Sequence, residues 1–293
     1  MYKCCIIDKN RFGLTIPIEI GVKNIELKDK EFQEIRDYIR RNFGISMGDE
    51  KRTLVFSRLR PIVRDKGFTD FSGFMDWVRE DKSGDAKTLL ANRLTTNHTF
   101  FWREPEHFEM LRDIIFPWIE KTYAHERDLR LWCAACSSGE EAYTLQILAQ
   151  EYFENKQGWN LEILATDISE KVLAQSYQGI YSKDSLSVLP EPWLKKYFKP
   201  YDATNMIVND SVKKNVTFRK YNLIEDSHKF KKPFQVIFCR NVMIYFDNPT
   251  REGIAKRFAT MMAPGGHLFI GHSESLSNMN VGLKYVKPAV YKK

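Results

Sequence analysis

The spacing of apolar residues changes near residue 90. Before this point they recur three and four positions apart, as at Phe32, Ile35 and Ile39, which is the period of an amphipathic helix. After it, short apolar runs alternate with stretches of helical period, a pattern typical of a parallel sheet covered by helices on both faces. The sequence therefore predicts a small all-helical domain at residues 26–90 and an α/β domain at residues 106–293.

Turn and cap residues divide the helical segment into three predicted helices. The first follows Leu27 and ends at Gly44, and the second begins near Asp49. Pro61 should break or kink the second helix, because proline has no amide hydrogen to donate to the preceding turn. The third helix is expected at residues 69–80, with its first residue, a threonine, as the N-cap.

Four short apolar runs are the predicted strands of the sheet, at residues 131–135, 161–165, 234–239 and 267–270. Helices are expected between them, at residues 141–153, 169–177 and 250–262. Residues 201–221 instead alternate apolar and polar positions around Asn209, as an antiparallel hairpin would. This segment predicts an inserted β-subdomain at about 198–221.

The remaining segments connect or precede the two domains. Residues 91–105 form a linker that carries three aromatic residues beside Arg103. Residues 1–25 are a lead-in to which the pattern assigns no role. They have no long apolar core of a signal peptide, and no apolar run in the chain approaches the length of a membrane span. A soluble, intracellular protein is therefore expected.

Charge and cysteine content narrow the range of partners. The 293 residues carry a formal net charge of +7, which favours an acidic partner without separating nucleic acid from an acidic protein surface. Six basic residues and one acid lie between positions 51 and 66; the bases are Lys51, Arg52, Arg58, Arg60, Arg64 and Lys66. The five cysteines are interpreted as reduced, apolar side chains. No metal site is predicted, because the one CxxC pair has no second ligand pair.

Candidate chemistry lies where predicted strands end, since open α/β sheets bind ligands at the carboxyl ends of their strands. The first such turn contains Gly139, followed by Glu140 and Glu141. Two acids would repel a pyrophosphate but suit an ammonium group, so the turn favours a cationic ligand over a dinucleotide. Acids in a first helical turn also offset the helix dipole, and this simpler explanation stays open.

Polar residues follow the other predicted strands. Asp167 suits the two hydroxyls of a ribose, although it also suits the N-cap role for which Ser169 competes. Asn222 suits the edge of an adenine or an ordinary turn. Arg240 and Asn241 come directly after a buried strand, where polar groups need partners, and are expected to face the cleft.

Together these stretches resemble the CheR family of chemotaxis receptor glutamate methyltransferases. The resemblance rests on LTTNHTFFWREPEHF, CAACSSGEEAYT, ATDISEKVLAQSYQGIY, FQVIFCRNVMIYFDNPT and APGGHLFIGHSESL. It runs from about Phe32 to the C-terminus. The family implies a helical N-terminal domain and a Rossmann-like methyltransferase sheet with a small antiparallel β-subdomain. It also implies S-adenosylmethionine as cofactor and S-adenosylhomocysteine as product.

The resemblance carries specific roles to residues of this chain. It implies a cofactor pocket formed by Asn97, Thr99, Arg103, Glu141, Asp167, Asn222, Leu223, Arg240 and Asn241. Arg103 and Tyr245 are implied to be the catalytic residues nearest the transferred methyl group. Lys51 and Arg58 match the family's basic helix, which faces the cytoplasmic helical region of the receptor. The protein is accordingly expected in the cytoplasm, acting on receptor glutamates.

Departures from the family pattern affect the expected partners. Pro61 interrupts the basic helix, so Arg60 and Arg64 carry over poorly, and Ala142 replaces a common proline. The predicted hairpin at 205–213 lacks the glycine cluster of members that bind a C-terminal receptor pentapeptide, so no such tether is expected. Two alternatives remain: a methyltransferase acting on RNA or another protein, and a non-catalytic S-adenosylmethionine-binding regulator. The second need not keep Arg103 and Tyr245, and nucleic acid is not the expected partner.

Overall fold

The computed structural model describes residues 25–225 and 230–293, so nearly all of the predicted lead-in at 1–25 lies outside the described residues. Four helices come first: α1 (Asp29–Phe43), α2 (Arg52–Asp65), α3 (Phe71–Glu80) and α4 (Asp85–Leu94). As predicted, α1 ends at a glycine: Gly44 has a φ of 71° and donates its amide to the Arg40 carbonyl. The fourth helix extends past the predicted boundary at residue 90.

Two details of the helical prediction concern Pro61 and the N-cap of α3. Helix α2 does not break at Pro61 but continues through it to Asp65. Proline removes only the hydrogen bond to the Ser57 carbonyl, and both residues are exposed, so this carbonyl is open to solvent. Helix α3 is capped by Asp70, not by the preceding threonine, because the Asp70 carboxylate accepts a hydrogen bond from the Gly73 amide.

The rest of the chain forms an α/β sandwich. Its helices are α5 (Pro105–Met110), α6 (Phe116–Thr122), α7 (Glu140–Phe153), α8 (Glu170–Gln178), α9 (Lys183–Leu186), α10 (Glu191–Tyr197), α11 (Asp210–Lys213) and α12 (Asn248–Met261). Its strands are β1 (Asp128–Cys133), β2 (Asn160–Asp167), β3 (Ile180–Ser182), β4 (Phe198–Pro200), β5 (Asn205–Val208), β6 (Val216–Lys220), β7 (Phe234–Phe238), β8 (Met262–Phe269), β9 (Lys284–Lys287) and β10 (Val290–Lys292).

Seven strands form the main sheet in the order β6-β2-β1-β7-β8-β10-β9. Neighbouring strands among the first five pair parallel, whereas β10 pairs antiparallel with both β8 and β9. All four predicted strands are present, and β9 and β10 extend the sheet beyond them. Because the chain passes from β1 outward to β2 and β6 and then returns to β7, strand order reverses between β1 and β7. A ligand crevice is expected at the carboxyl ends of these strands.

The predicted β-subdomain exists, but its pairing differs from the predicted hairpin over 201–221. Strands β3, β5 and β4 form a separate antiparallel sheet, so the insertion begins near residue 180. Residues around Asn209 form helix α11 instead of a turn, and β6 pairs parallel with β2 in the main sheet. Alternating polarity is compatible with either a hairpin or an edge strand, so the sequence pattern alone could not separate them.

Apolar residues on the two faces of the main sheet form two core clusters. Strand β1 shows the alternation: Leu131 and Cys133 enter one cluster, and Trp132 enters the other. The cluster around Trp132 continues without interruption into helices α1 to α4. The helical segment therefore packs directly beside the carboxyl ends of the strands instead of standing apart on a linker.

No helix within residues 25–225 and 230–293 is long and apolar enough to cross a membrane.

Candidate functional site

A cleft of about 940 Å³, including its open mouth, lies at the carboxyl ends of the strands. Its lining includes every predicted cofactor-binding residue and Tyr245: Asn97, Thr99, Arg103, Glu141, Asp167, Asn222, Leu223, Arg240, Asn241 and Tyr245. Residues as distant in sequence as Asn97 and Tyr245 thus meet in one place. Lys51 and Arg58 are not part of this lining.

The turn after β1 brings backbone close to the cleft. Gly139 caps α7 with a φ of 100°, and a β-carbon there would lie 2.8 Å from the Tyr181 hydroxyl. Ser137 also has a positive φ, of 48°, and its amide donates to the Asp167 carboxylate at 2.9 Å. A side chain at position 139 is therefore excluded both by backbone strain and by lack of space.

Asp167 lies at the end of β2 and is buried. Its carboxylate accepts hydrogen bonds from the amides of Ser137 and Ser169, both at 2.9 Å. Burial raises its pKa, and these hydrogen bonds oppose that shift. The cap of α8 is Ser169, whose hydroxyl accepts from the Val172 amide. Asp167 is therefore not needed as the cap, and it remains oriented at the wall of the cleft.

The two glutamates of the first helical turn have different positions. Glu141 lines the cleft and forms an ion pair with Arg240, with 2.9 Å between Oε2 and Nε. Glu140 is absent from the lining, and its carboxylate accepts from the Ser138 hydroxyl at 2.7 Å. Burial raises the pKa of Glu140. The geometry thus agrees with the choice of Glu141 over Glu140 as the cleft residue.

Arg240 is the buried cation at the base of the cleft. Besides Glu141, its guanidinium contacts Nδ1 of His107 at 3.1 Å and donates to the Arg103 carbonyl at 2.6 Å. Its Nε lies 3.8 Å from a carboxylate oxygen of Glu104. Because a guanidinium only donates, Nδ1 of His107 must accept, which places the imidazole proton on Nε2.

Glu104, His107 and His272 bring ligand atoms within 4.8 Å of one another, a spacing that would suit a metal ion. However, the Arg240 guanidinium already contacts two of these residues. A divalent cation beside it would meet strong repulsion in a buried environment. We therefore interpret Glu104 and His107 as groups that hold Arg240 in place.

The loop after β7 is held by Glu274, which the sequence analysis did not single out. Its buried carboxylate accepts from the amides of Asn241 at 3.0 Å, Ile244 at 3.1 Å and Gly271 at 2.6 Å. Burial raises its pKa despite these bonds. Asn241 has a positive φ of 58°, so the carboxylate stabilises a strained backbone that presents Asn241 and Tyr245 to the cleft.

Glu104, His107 and Glu274 all lie inside the stretches that carried the family resemblance, REPEHF and GHSESL. Their place inside these stretches was the signal available for them. The sequence could not show that they act on other side chains of the site rather than on a ligand.

The linker from residue 95 to residue 103 is held against the cleft at several points. The Ser137 hydroxyl donates to the Asn97 carbonyl at 3.0 Å. Arg103 donates to the His98 carbonyl at 2.9 Å, and its guanidinium lies over the ring of Phe100. Phe101, in contrast, is buried against the β-subdomain. The aromatic run thus packs through Phe101 and supports Arg103, which lines the cleft, through Phe100.

Tyr245 lies at the mouth of the cleft in a short 3-10 turn, Met243–Tyr245. Its hydroxyl accepts from the Thr96 amide and donates to the Thr96 carbonyl, each at 3.2 Å. Its backbone carbonyl accepts from the Ser46 amide at 2.8 Å. Both predicted catalytic residues, Arg103 and Tyr245, therefore line the same cleft, and each is tied to the linker.

Asn222 lines the cleft, but its amide already has partners. The amide nitrogen donates to the Asn42 carbonyl at 2.9 Å, and the amide oxygen accepts from Ile224 at 3.4 Å. These bonds connect the end of β6 to the end of α1. They argue against the expectation that the Asn222 side chain is free to pair with an adenine edge, although Leu223 beside it provides an apolar wall.

The two predicted substrate-binding residues differ in environment. Lys51 is exposed in the 3-10 turn that leads into α2. Arg58 is only partly exposed, and its guanidinium donates to the carbonyls of Leu94 and Thr95 and to the hydroxyl of Thr96. The structure thus leaves Lys51 accessible but uses Arg58 within the protein.

The three described cysteines, Cys133, Cys136 and Cys239, are buried and unpaired, as predicted. Burial raises the pKa of each thiol well above its usual value.

Two buried histidines should make the free energy of unfolding depend on pH. Burial lowers the pKa of His107 to about 3 and that of His267 to about 4. In the unfolded chain a histidine has a pKa near 6.5. Below that pH, protonation of the two histidines favours the unfolded state, so the full free energy of unfolding is present above pH 6.5 and decreases as the pH falls. At pH 5 each should reduce the free energy of unfolding by roughly 2 kcal/mol. Urea unfolding measures how much the free energy of unfolding falls between pH 7 and pH 5. This fall should be smaller in His267→Gln than in the unchanged protein by about that amount. Equal falls in the two proteins would contradict the assignment to His267.

The cleft fits a ligand that combines positive charge, a ribose and an apolar ring. Glu141 offers a carboxylate to an ammonium group, and Asp167 offers one at the end of the next strand. Ile168, Tyr221 and Leu223 add an apolar wall. These are the groups that S-adenosylmethionine requires. Fold and cleft together are those expected of the class of S-adenosylmethionine-dependent methyltransferases.

Two family models match nearly the whole described chain. One, described as "CheR methyltransferase, all-alpha domain", covers residues 30–95. The other, "CheR methyltransferase, SAM binding domain", covers residues 97–291. The chain belongs to the CheR methyltransferase family, and the resemblance stated from its motifs is confirmed.

Curated relatives extend over most of the chain. The chemotaxis protein methyltransferase of Borreliella burgdorferi is 38% identical over 289 residues, covering 98% of this chain and 99% of the relative. The chemotaxis protein methyltransferase of Escherichia coli is 34% identical over 264 residues, 88% of each chain. This protein is therefore an S-adenosylmethionine-dependent methyltransferase of chemotaxis.

Solved structures outside the family share only a weak likeness. PKMT2 from Rickettsia typhi, solved in complex with AdoHcy, is 15% identical with a TM-score of 0.32, covering 49% of this chain and 21% of that one. TehB from Haemophilus influenzae is 12% identical with a TM-score of 0.29, covering 53% and 39%.

Proposed function

We propose that this protein transfers the methyl group of S-adenosylmethionine to glutamate side chains of chemotaxis receptors, forming glutamyl methyl esters in the cytoplasm. One observation carries the choice of acceptor. The two carboxylates of the cleft, Glu141 and Asp167, are assigned to the cofactor. Beside them, the cleft mouth offers a guanidinium, Arg103, and a phenol, Tyr245. Groups of this kind attract and orient an anion.

A glutamate acceptor needs no strong base from the enzyme. Its carboxylate is ionised at pH 7, and the bound cofactor supplies an electrophilic methyl group on a sulfonium sulfur. As the oxygen–carbon bond forms, the carbon–sulfur bond breaks and its electron pair stays on sulfur. The protein's contribution is to align the reacting atoms and exclude water. We assign Arg103, in the linker, to orienting the glutamate carboxylate. We assign Tyr245, in the loop after β7, to orienting the same carboxylate.

Cofactor contacts are assigned to the residues around the cleft. Glu141 would meet the ammonium group, Asp167 the ribose hydroxyls, and Leu223 the adenine. Asn97, Thr99, Asn222, Arg240 and Asn241 complete the proposed pocket. We assign Asn222 to the shape of the wall, because its amide is bonded to α1. From the turn after β1, Ala134, Ala135 and Ser137 complete the proposed wall.

Receptor docking is proposed at the exposed bases of the first helices. Lys51 is exposed beside the start of α2, and Arg60 and Arg64 are exposed farther along the same helix. An acidic helical surface would complement Lys51 electrostatically.

The turn between β4 and β5, residues 201–204, also lacks glycine, so we propose that no pentapeptide tether is used. Micromolar binding of a receptor pentapeptide by calorimetry would contradict that part.

Tyr245→Phe tests the alignment role. The substitution removes a hydroxyl that contacts the linker at 3.2 Å and faces the cleft. We expect turnover to fall about tenfold, while the dissociation constant of S-adenosylhomocysteine changes less than threefold, because an aligning group acts mainly in the transition state. Initial rates and calorimetry measure the two quantities. Unchanged turnover with intact cofactor binding would remove Tyr245 from this role.

The acceptor itself is identified by the chemistry of the product. Incubation with radiolabelled S-adenosylmethionine and receptor cytoplasmic fragments should place label on the fragment. Mild base should release that label as methanol, which is diagnostic of a glutamyl methyl ester. Fragments whose candidate glutamates are replaced by alanine serve as control. Base-stable label, or label on RNA supplied in parallel, would reject the proposed acceptor while leaving the methyltransferase assignment intact.

A further inference from the structure

Arg58 is the predicted substrate-binding residue whose charge is turned inward. Its Nη1 donates to the carbonyls of Leu94 and Thr95, each at 3.1 Å, and its Nη2 donates to the Thr96 hydroxyl at 2.9 Å. Leu94 is the last residue of α4. The last carbonyls of a helix have no partner within it and carry partial negative charge, so a guanidinium is well suited to this position.

The residues that Arg58 holds lead directly into the cleft. Thr96 contacts the Tyr245 hydroxyl through both its amide and its carbonyl. The next residue, Asn97, lines the cleft, and its carbonyl is fixed by Ser137 of the turn after β1. Three elements therefore meet at this short segment: helix α2 through Arg58, the loop after β7 through Tyr245, and the β1 turn through Ser137.

We propose that Arg58 is a positioning residue of the cofactor pocket, acting through the segment Leu94 to Asn97, rather than a residue that binds the methyl acceptor. Its guanidinium fixes the backbone at the end of α4, and that backbone sets where Asn97 and the Tyr245 hydroxyl stand. This role is independent of which acceptor is used. It predicts an effect on cofactor binding before any acceptor is present.

Arg60 provides a matched control on the same helix. It lies two positions away and carries the same charge, but it is exposed and its guanidinium rests over the ring of Phe56. Loss of Arg60 changes the net charge of α2 as much as loss of Arg58 does. Any difference between the two variants therefore reports the contacts of Arg58 and not the electrostatic field of the helix.

The experiment measures S-adenosylhomocysteine affinity by calorimetry on the full chain without acceptor. Arg58→Ala should raise the dissociation constant about tenfold, Arg60→Ala should leave it within twofold, and Arg58→Lys should recover part of the loss. Thermal unfolding on the same samples verifies that each variant is folded at the titration temperature. With receptor fragments, Arg58→Ala should lower kcat while the KM for the fragment changes little.

The opposite pattern would overturn the proposal. If Arg58 binds the acceptor, Arg58→Ala will leave S-adenosylhomocysteine affinity unchanged and raise the KM for the receptor fragment. A lower melting temperature with unchanged cofactor affinity in the folded protein would also reject it, since that is the effect of a structural contact alone. Should Arg58→Ala fail to fold, Arg58→Gln, which keeps one donating amide, replaces it, with the same two quantities deciding the outcome.

Discussion

Arg240→Met is expected to abolish measurable S-adenosylhomocysteine binding and to lower the free energy of unfolding by about 3–5 kcal/mol. Methionine fills similar volume but leaves Glu141 without its ion-pair partner 2.9 Å away and leaves Glu104 and His107 facing an apolar side chain. Removing one partner from a buried charge cluster is strongly destabilising, because the other charge stays desolvated. Calorimetric titration and urea unfolding measure the two effects.

Companion variants separate charge from geometry. Arg240→Lys keeps the positive charge but cannot reach Glu141, His107 and the Arg103 carbonyl together, so we expect an intermediate loss of binding. Adding Glu104→Gln to Arg240→Met should return part of the free energy of unfolding, because it removes one unpaired carboxylate. It should not return cofactor binding, because Glu141 still lacks its ion-pair partner. Full stability in the single Arg240→Met variant would show that the cluster is not held by Arg240.

Glu274→Gln is expected to lower turnover at least tenfold and the free energy of unfolding by about 1–3 kcal/mol. The carboxylate accepts three backbone amides, from Asn241, Ile244 and Gly271. A glutamine places an NH2 group, which only donates, where at least one of these amides needs an acceptor. The freed loop would no longer hold Asn241 at its positive φ or Tyr245 at the mouth of the cleft. Steady-state rates with receptor fragments and urea unfolding test this expectation.

Glu252→Gln is the matched control for that substitution. Glu252 pairs on the surface with Lys256, four positions along α12, and such exposed pairs contribute little to stability. We expect its turnover to equal that of the unchanged protein. If Glu274→Gln also behaves this way, the loop after β7 is fixed by its packing, and Glu274 has no part in positioning Tyr245.

The sequence by itself determined the elements and the family. Helical period, apolar runs and capping residues predicted α1, the main strands and α7, because these depend on local spacing and on which face is buried. Motifs identified the cofactor and nine cleft residues, which the structure brings together. Local signals failed in two places. Alternating polarity suited both a hairpin and the edge strand β6, so the pattern could not separate them. Pro61 lies on an exposed face of α2, where the helix tolerates a proline.

Only the tertiary structure decided what each polar side chain does. Arg58 and Asn222 have the residue types of ligand-binding groups, yet their donors are used by backbone carbonyls distant in sequence, at Leu94 and Asn42. Glu274 and His107 carry no distinguishing spacing, yet they hold the groups that line the cleft. A side chain's type fixes what it can donate or accept, but its partner depends on which elements pack beside it. The five motif stretches therefore indicated a methyltransferase, while the packing of α2 and of the loop after β7 set the positions of Thr96 and Tyr245 beside the cleft.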